Sequence, residues 1–274
     1  MVAIGIMQGR LLPPIDGRIQ AFPAGQWPAE FPRARQVGFD LIEFIFDGDA
    51  EQHPFMTEQG RRRVRAAIDS SGVRVESVCA DWFMTTPLHA GEAATRARAL
   101  EVLQRLVRNS AQLGVRTIVV PCVDAASLGG TRDQAVLTDA LMRCLPTLTR
   151  AGVRLALETD LAPEGFQRLL EQLPAQAIGI NYDMGNSASL GFSPADELAA
   201  YGDRVVAVHV KDRLKGGGTV RLGTGDTDFD ACFAALSRVE YAGPFIIQGA
   251  RGADDALTAA EYLGFVRARL ARAA

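Results

Sequence analysis

Four polar residues end or interrupt apolar runs in the second half of the chain. Glu158 follows VRLAL, Asp183 follows IGINY, His209 lies near the end of VVAVHV, and Gln248 follows PFII. Two carboxylates and an imidazole make a mixed oxygen and nitrogen donor set. Such a set suits one divalent metal ion (Mn, Co, Zn or Mg) better than a thiolate-loving metal. Gln248 adds a candidate amide oxygen. Each residue alone has a plain structural use: an ion pair, a core histidine, or a cap before Met184-Gly185. Together they put a ligand-type residue at the same level of successive apolar runs, so metal binding is the expected chemistry. Gln8, Glu43, Asp81 and Asp124 hold the matching places in the earlier runs.

The elements that position these residues alternate. Ala3–Met7, Phe39–Phe46, Val73–Val78, Val115–Val120, Val153–Leu157, Ile178–Tyr182, Val205–Val210 and Pro244–Ile247 read as strands. The runs are continuously apolar, as parallel strands buried on both faces are. Helix signals separate them: Trp27 to Val37, a segment capped by Thr57, Gly91–Leu113, Thr131–Ala151, Pro163–Leu173, a short helix opened by Ser193-Pro194, Phe229–Val239 behind Asp228, and finally Leu257–Leu270. Leu100, Leu103, Leu106 and Val107 carry helical spacing. Glycines at 38, 72, 114, 152 and 243 stand just before strands, as helix stops do. Eight βα units without a linker predict an α/β fold, a single (β/α)8 TIM barrel over residues 1–274. A doubly wound sheet is the alternative reading. In a barrel the strand C-termini share one mouth, which would bring the four corners together.

Composition narrows the partners. The 274 residues are 48% hydrophobic and 22% charged, with a net charge of −3. No basic excess is available for a phosphate backbone, so a nucleic-acid partner is not expected. No signal-peptide pattern and no apolar run of about 18 residues appears, so no membrane partner is expected either. Cys79, Cys122, Cys144 and Cys232 form no C-x-x-C pair and read as reduced, buried thiols of a cytoplasmic protein. Homo-oligomerisation is left open. Only two of the 29 basic residues are lysines, and both, Lys211 and Lys215, follow His209. That placement points to a compact ammonium at the site.

LALETD, NYDMGNSASLG, RVVAVHVKD, LGTGDTDFDACFAAL and YAGPFIIQ resemble the xylose-isomerase-like TIM barrels of the sugar phosphate isomerase/epimerase group. Within it, the chain resembles the L-ribulose-5-phosphate (L-xylulose-5-phosphate) 3-epimerases. GFDLIEFIFD and SGVRVESVCA extend the resemblance over nearly the whole chain. It implies one divalent metal held by Glu158, Asp183, His209 and the position of Gln248. There the family carries a second glutamate, which serves with the first as the acid/base pair. Glutamine does not titrate, so this chain departs from the two-glutamate scheme.

The implied reaction is isomerisation or epimerisation of a sugar or sugar phosphate through an enediolate. Glu158 is the first candidate base, with Glu43 and Asp81 as second catalytic candidates. Gln8, Arg10, Asn186, Lys211, Lys215 and Arg251 are candidate substrate-binding residues, and Trp27 is a candidate for the mouth. The amides of Gly216–Gly218 are a candidate phosphate cradle. Two other readings stand beside this one: a metal-dependent dehydratase of a keto-sugar or cyclitol, and a sugar-binding barrel without turnover. A multi-metal phosphodiesterase needs many histidines, and this chain has three.

Overall fold

The protein, described here by a computed structural model covering Val2–Ala273, closes eight parallel strands into a barrel. They are β1 (Ile4–Met7), β2 (Leu41–Ile45), β3 (Ser77–Cys79), β4 (Thr117–Cys122), β5 (Arg154–Thr159), β6 (Ile178–Asp183), β7 (Val205–Val210) and β8 (Phe245–Ile247). Closure pairs β1 with both β2 and β8. A two-residue ribbon, Asp212–Arg213 with Thr219–Val220, stands apart on the loop after β7.

Strand periodicity sorts the side chains into two cores. Ile42, Phe44, Ile118, Val120, Leu155, Leu157, Ile180, Tyr182, Val208, Phe245 and Ile247 point outward and pack in the large core shared with the helices. Met7, Leu41, Ile45, Cys79, Val119, Ala156, Ala207 and Ile246 fill the barrel interior. Successive strand residues face opposite sides. Two steps above Ala156, Ala207 and Ile246 the inner face therefore carries Glu158, His209 and Gln248.

One irregularity makes this alignment work. Ile180 pairs with Val205, but Asn181 pairs with Ala207, so Val206 is an extra residue in β7. Val206 packs with the inner cluster, as does Ala207. Two consecutive residues thus face inward, the signature of a bulge. Beyond it Asp183 pairs with His209. Without the extra residue, Asp183 would lie beside Val208 and His209 would face the helices.

The helices end much as their signals imply. Thr57, Ser193 and Asp228 cap helices with their side chains. Gly38, Gly72 and Gly152 close theirs in the left-handed conformation. Three local readings need correction. β3 covers Ser77–Cys79 rather than Val73–Val78, because the earlier half makes only an isolated bridge between Arg74 and Leu41. After β6 there are two helices, Met184–Leu190 and Pro194–Tyr201, instead of one. Trp27 is core: it packs on Phe31 and Phe44 rather than lining the mouth. No helix among the described residues is long and apolar enough to cross a membrane.

Gly179 lies beneath the bulge. A Cβ there would sit 2.5 Å from the Arg204 carbonyl oxygen and 2.7 Å from Val206 Cγ1. Gly179→Ala should therefore lower the unfolding free energy by about 1–3 kcal/mol, read as a reduced urea midpoint.

Candidate active site and metal centre

Glu158, Asp183 and His209 each offer one ligand atom within 4.8 Å of the others, and all three are buried. His209 Nδ1 lies 3.7 Å from Glu158 Oε2 and 3.8 Å from Asp183 Oδ2. The other ring nitrogen, Nε2, is 2.6 Å from Glu43 Oε1. A carboxylate only accepts, so Nε2 carries the hydrogen and donates to Glu43. Asn181 Nδ2 lies 3.0 Å from Nδ1 and donates to it when the ring is neutral. In the neutral ring, Nδ1 is the acceptor nitrogen that a metal needs, and it faces the two carboxylates.

The carboxylates are held from both sides. Asn186 Nδ2 donates to Glu158 Oε1 at 2.6 Å, and Asn181 Nδ2 to Oε2 at 2.7 Å. Asp183 Oδ1 accepts from the backbone N–H of Asn186 at 2.8 Å, capping the Met184–Leu190 helix, while Lys211 Nζ reaches Oδ2 at 3.3 Å. Asp183 is therefore both a cap and a corner of the site.

Burial and neighbours pull the two carboxyls apart. Desolvation, reinforced by the charge of Asp183, raises Glu158 to about 7. Burial also opposes ionisation of Asp183, but Lys211, His209 and the Asn186 amide outweigh it and hold its pKa at about 2. For His209, burial disfavours the cation, yet Glu43, Asp183 and Glu158 outweigh it and raise the pKa to about 10. A site without metal thus gathers protons where negative charge is crowded. A divalent cation would answer the same crowding.

The donor chemistry fits such an ion: two carboxylates, one imidazole acceptor nitrogen, and a further buried oxygen without a partner, Gln248 Oε1. Above lies an open cavity of ≈ 500 Å³, lined by Glu158, Gln248, Asp81, Asn186, Lys211, Arg213, Arg10 and Gln20 among others. Of the sequence candidates, Arg10, Asp81, Asn186, Lys211 and Gln248 reach this cavity together with Glu158.

Glu43, Gln8, Lys215 and Arg251 are not among its lining residues. Glu43 is spent on His209. Gln8 is buried, its Oε1 accepting from the Ile45 N–H at 2.9 Å. Arg251 ties the β1 and β8 loops through the carbonyls of Leu12 and Gly9. Lys215 is exposed.

The glycine-rich loop is largely self-satisfied. Gly216 N–H bonds to Ser189 O and Gly217 N–H to Leu214 O. Further along the loop, the buried Asp212 carboxylate accepts from the N–H groups of Gly223, Thr224, Gly225 and Thr227. Arg213 is committed to Gly217 O and Asn186 Oδ1.

Sequence reasoning missed Asn181 and Gln20. Asn181 carries a signal in retrospect: it is a polar residue inside an apolar strand, two places before Asp183. Gln20 lies in an irregular loop and carries none.

A family model described as xylose isomerase-like TIM barrel matches residues 31–268. L-ribulose-5-phosphate 3-epimerase UlaE of Escherichia coli is 29% identical over 272 residues, covering 93% of this chain and 94% of that protein. An L-ribulose 3-epimerase structure superposes with a TM-score of 0.78 at 20% identity, covering 100% of this chain and 96% of the other. The 3-keto-D-glucoside 4-epimerase YcjR of E. coli superposes at 0.74 with 21% identity, covering 98% of this chain and all 100% of the other. These two structural likenesses carry the fold.

Because Glu43 fixes the tautomer of His209, Glu43→Gln should weaken divalent-metal affinity by about 10- to 100-fold. Competition with a chelating dye measures it. His209→Ala should abolish binding in the same assay.

Proposed function

The chain belongs to the xylose isomerase-like TIM barrel family, and from that premise we propose that it is a divalent-metal-dependent isomerase or epimerase of a sugar or sugar phosphate, acting through an enediolate. One observation carries the reading: a buried carboxyl, Glu158, forms both a wall of the open cavity and a corner of the candidate metal-ligand triad.

Glu158, Asp183, His209 and Gln248 would hold the ion. When bound, it supplies Lewis-acid polarisation of a substrate carbonyl and so acidifies the neighbouring C–H. Glu158 is the proton acceptor. Its carboxylate faces the cavity, where it can take a proton from a bound substrate and give it back. Asn181 and Asn186 hold its two oxygens, which fixes the carboxylate plane for that transfer. Lys211 keeps Asp183 ionised, so Asp183 serves charge balance rather than proton transfer.

Return of the proton by Glu158 to the adjacent carbon gives isomerisation. Return to the original carbon from the other face gives epimerisation and needs a second group. Of Glu43 and Asp81, Asp81 is the one that lines the cavity, and burial raises its pKa. A bound water is the other source. The cytoplasm suits the four free, buried cysteines.

The test is C–H exchange in D2O, followed by NMR, with a panel of ketoses and their phosphates and the metal-loaded protein. Exchange should occur with at least one member and fall by about 10²- to 10⁴-fold in Glu158→Gln. Loss of a β-hydroxyl during exchange would show the dehydratase instead. Binding without exchange across the panel would show a sugar-binding barrel and overturn the proposal.

A further inference from the structure

Gln248 sits in a hydrogen-bonded chain that allows its amide only one orientation. Its Nε2 is 2.8 Å from Gln20 Oε1. Gln20 is itself held at both ends: its Nε2 is 2.6 Å from Asp81 Oδ2, and its Oε1 lies 3.1 Å from Arg10 Nη2. A guanidinium never accepts, so Gln20 must turn its oxygen to Arg10. Its nitrogen then meets the Asp81 carboxylate. With Gln20 locked, only the nitrogen of Gln248 makes a bond to it, and the carbonyl oxygen becomes the free end.

The anchors are fixed in turn. Arg10 Nε donates to the Gly249 carbonyl at 3.0 Å, and Nη1 to that of Ile19. The second oxygen of Asp81 accepts from Cys79 Sγ at 3.1 Å. At the end of this chain, Gln248 Oε1 is buried and has no hydrogen-bond partner. A buried acceptor left unmatched is costly unless something occupies it.

We propose that Gln20, locked by Arg10 and Asp81, is a positioning residue that presents the Gln248 carbonyl oxygen to the site as a neutral oxygen ligand. This rests on the metal-centre reading above. It also explains the residue type at 248. A glutamate there would set a carboxylate oxygen against Gln20 Oε1, acceptor against acceptor, with Gln20 unable to turn. The loop partner therefore selects the amide.

Co(II) is the probe, read by its visible ligand-field spectrum and by chelator competition. Wild-type protein should bind about one equivalent. Gln20→Met removes both polar ends at similar length; it should change the spectrum and lower affinity several-fold. Gln248→Leu should change the spectrum in the same sense. In the Gln248→Leu background, adding Gln20→Met should have no further effect, since Gln20 acts only through Gln248. Gln20→Asn, which keeps an amide one carbon short, serves as a milder variant with the same expected spectral change. Metal-free Gln248→Glu should melt below wild type.

Wild-type affinity and spectrum in both Gln20 variants would overturn the proposal. So would an additive loss in the double variant, which would mean that Gln20 acts through the loop alone. Failure of the wild-type protein to bind Co(II) would overturn the metal-centre reading together with this one.

Discussion

The site depends on a single extra residue. Val206 inserts a bulge into β7, and only beyond it does His209 share a face with Asp183. Side chains alternate along a strand, so a one-residue shift moves every later side chain to the opposite face. Below the bulge, β7 obeys the register set by Val205 against Ile180; above it, the register is offset. Gly179 accommodates the crowding, because a side chain there would meet the Arg204 carbonyl and Val206 itself. Small residues lower in the barrel and candidate ligands higher up are thus parts of one arrangement.

Electrostatics gives the arrangement its sense. Glu43, Glu158 and Asp183 crowd one imidazole in a water-poor interior, with Lys211 the cation on Asp183. The environment does not treat the three carboxylates alike. Asp183 is ionised by a lysine and a helix-capping amide. Burial and the like charge of Asp183 raise the proton affinity of Glu158, against the asparagine donors, which favour its anion. Carboxyls with separated pKa values in one site divide ligand and proton-transfer roles between them. Glu43 takes a third role, holding the tautomer of His209 from a position outside the cavity.

How much of this was legible depends on what each residue does to a pattern. Glu158, Asp183 and His209 stood out because polar residues at the ends of apolar runs break a strong local signal. The barrel followed from the repeated alternation of runs and helix stops. Asn181 was hidden because attention to strand ends passes over a polar residue inside a strand. The bulge was invisible, since in VVAVHV either register keeps apolar residues inward. The glycine-rich loop misled in the other direction. Glycines advertise free amides, but those of Gly216 and Gly217 are taken by the Ser189 and Leu214 carbonyls, and Asp212 gathers those of Gly223, Thr224 and Gly225. Lys215 and Arg251 were drawn in by their charge and nearness to strand ends. Neither lines the cavity, because backbone carbonyls hold Arg251 and solvent surrounds Lys215.

Closure of the barrel explains the remaining gap. β1 and β8 are neighbours only because the sheet meets itself. Gln20 and Gln248 touch across 228 residues of chain, and Arg10 meets the Gly249 carbonyl across 239. No local pattern encodes such contacts. Yet they decide the meaning of the fourth corner. Read as an isolated residue, Gln248 is an uncharged side chain at the fourth corner. Set beside Gln20, Arg10 and Asp81, it is an amide whose nitrogen is consumed and whose oxygen is left over. The amide at 248 is therefore matched to two loops at once, and a glutamate at that position alone would meet a partner facing the wrong way.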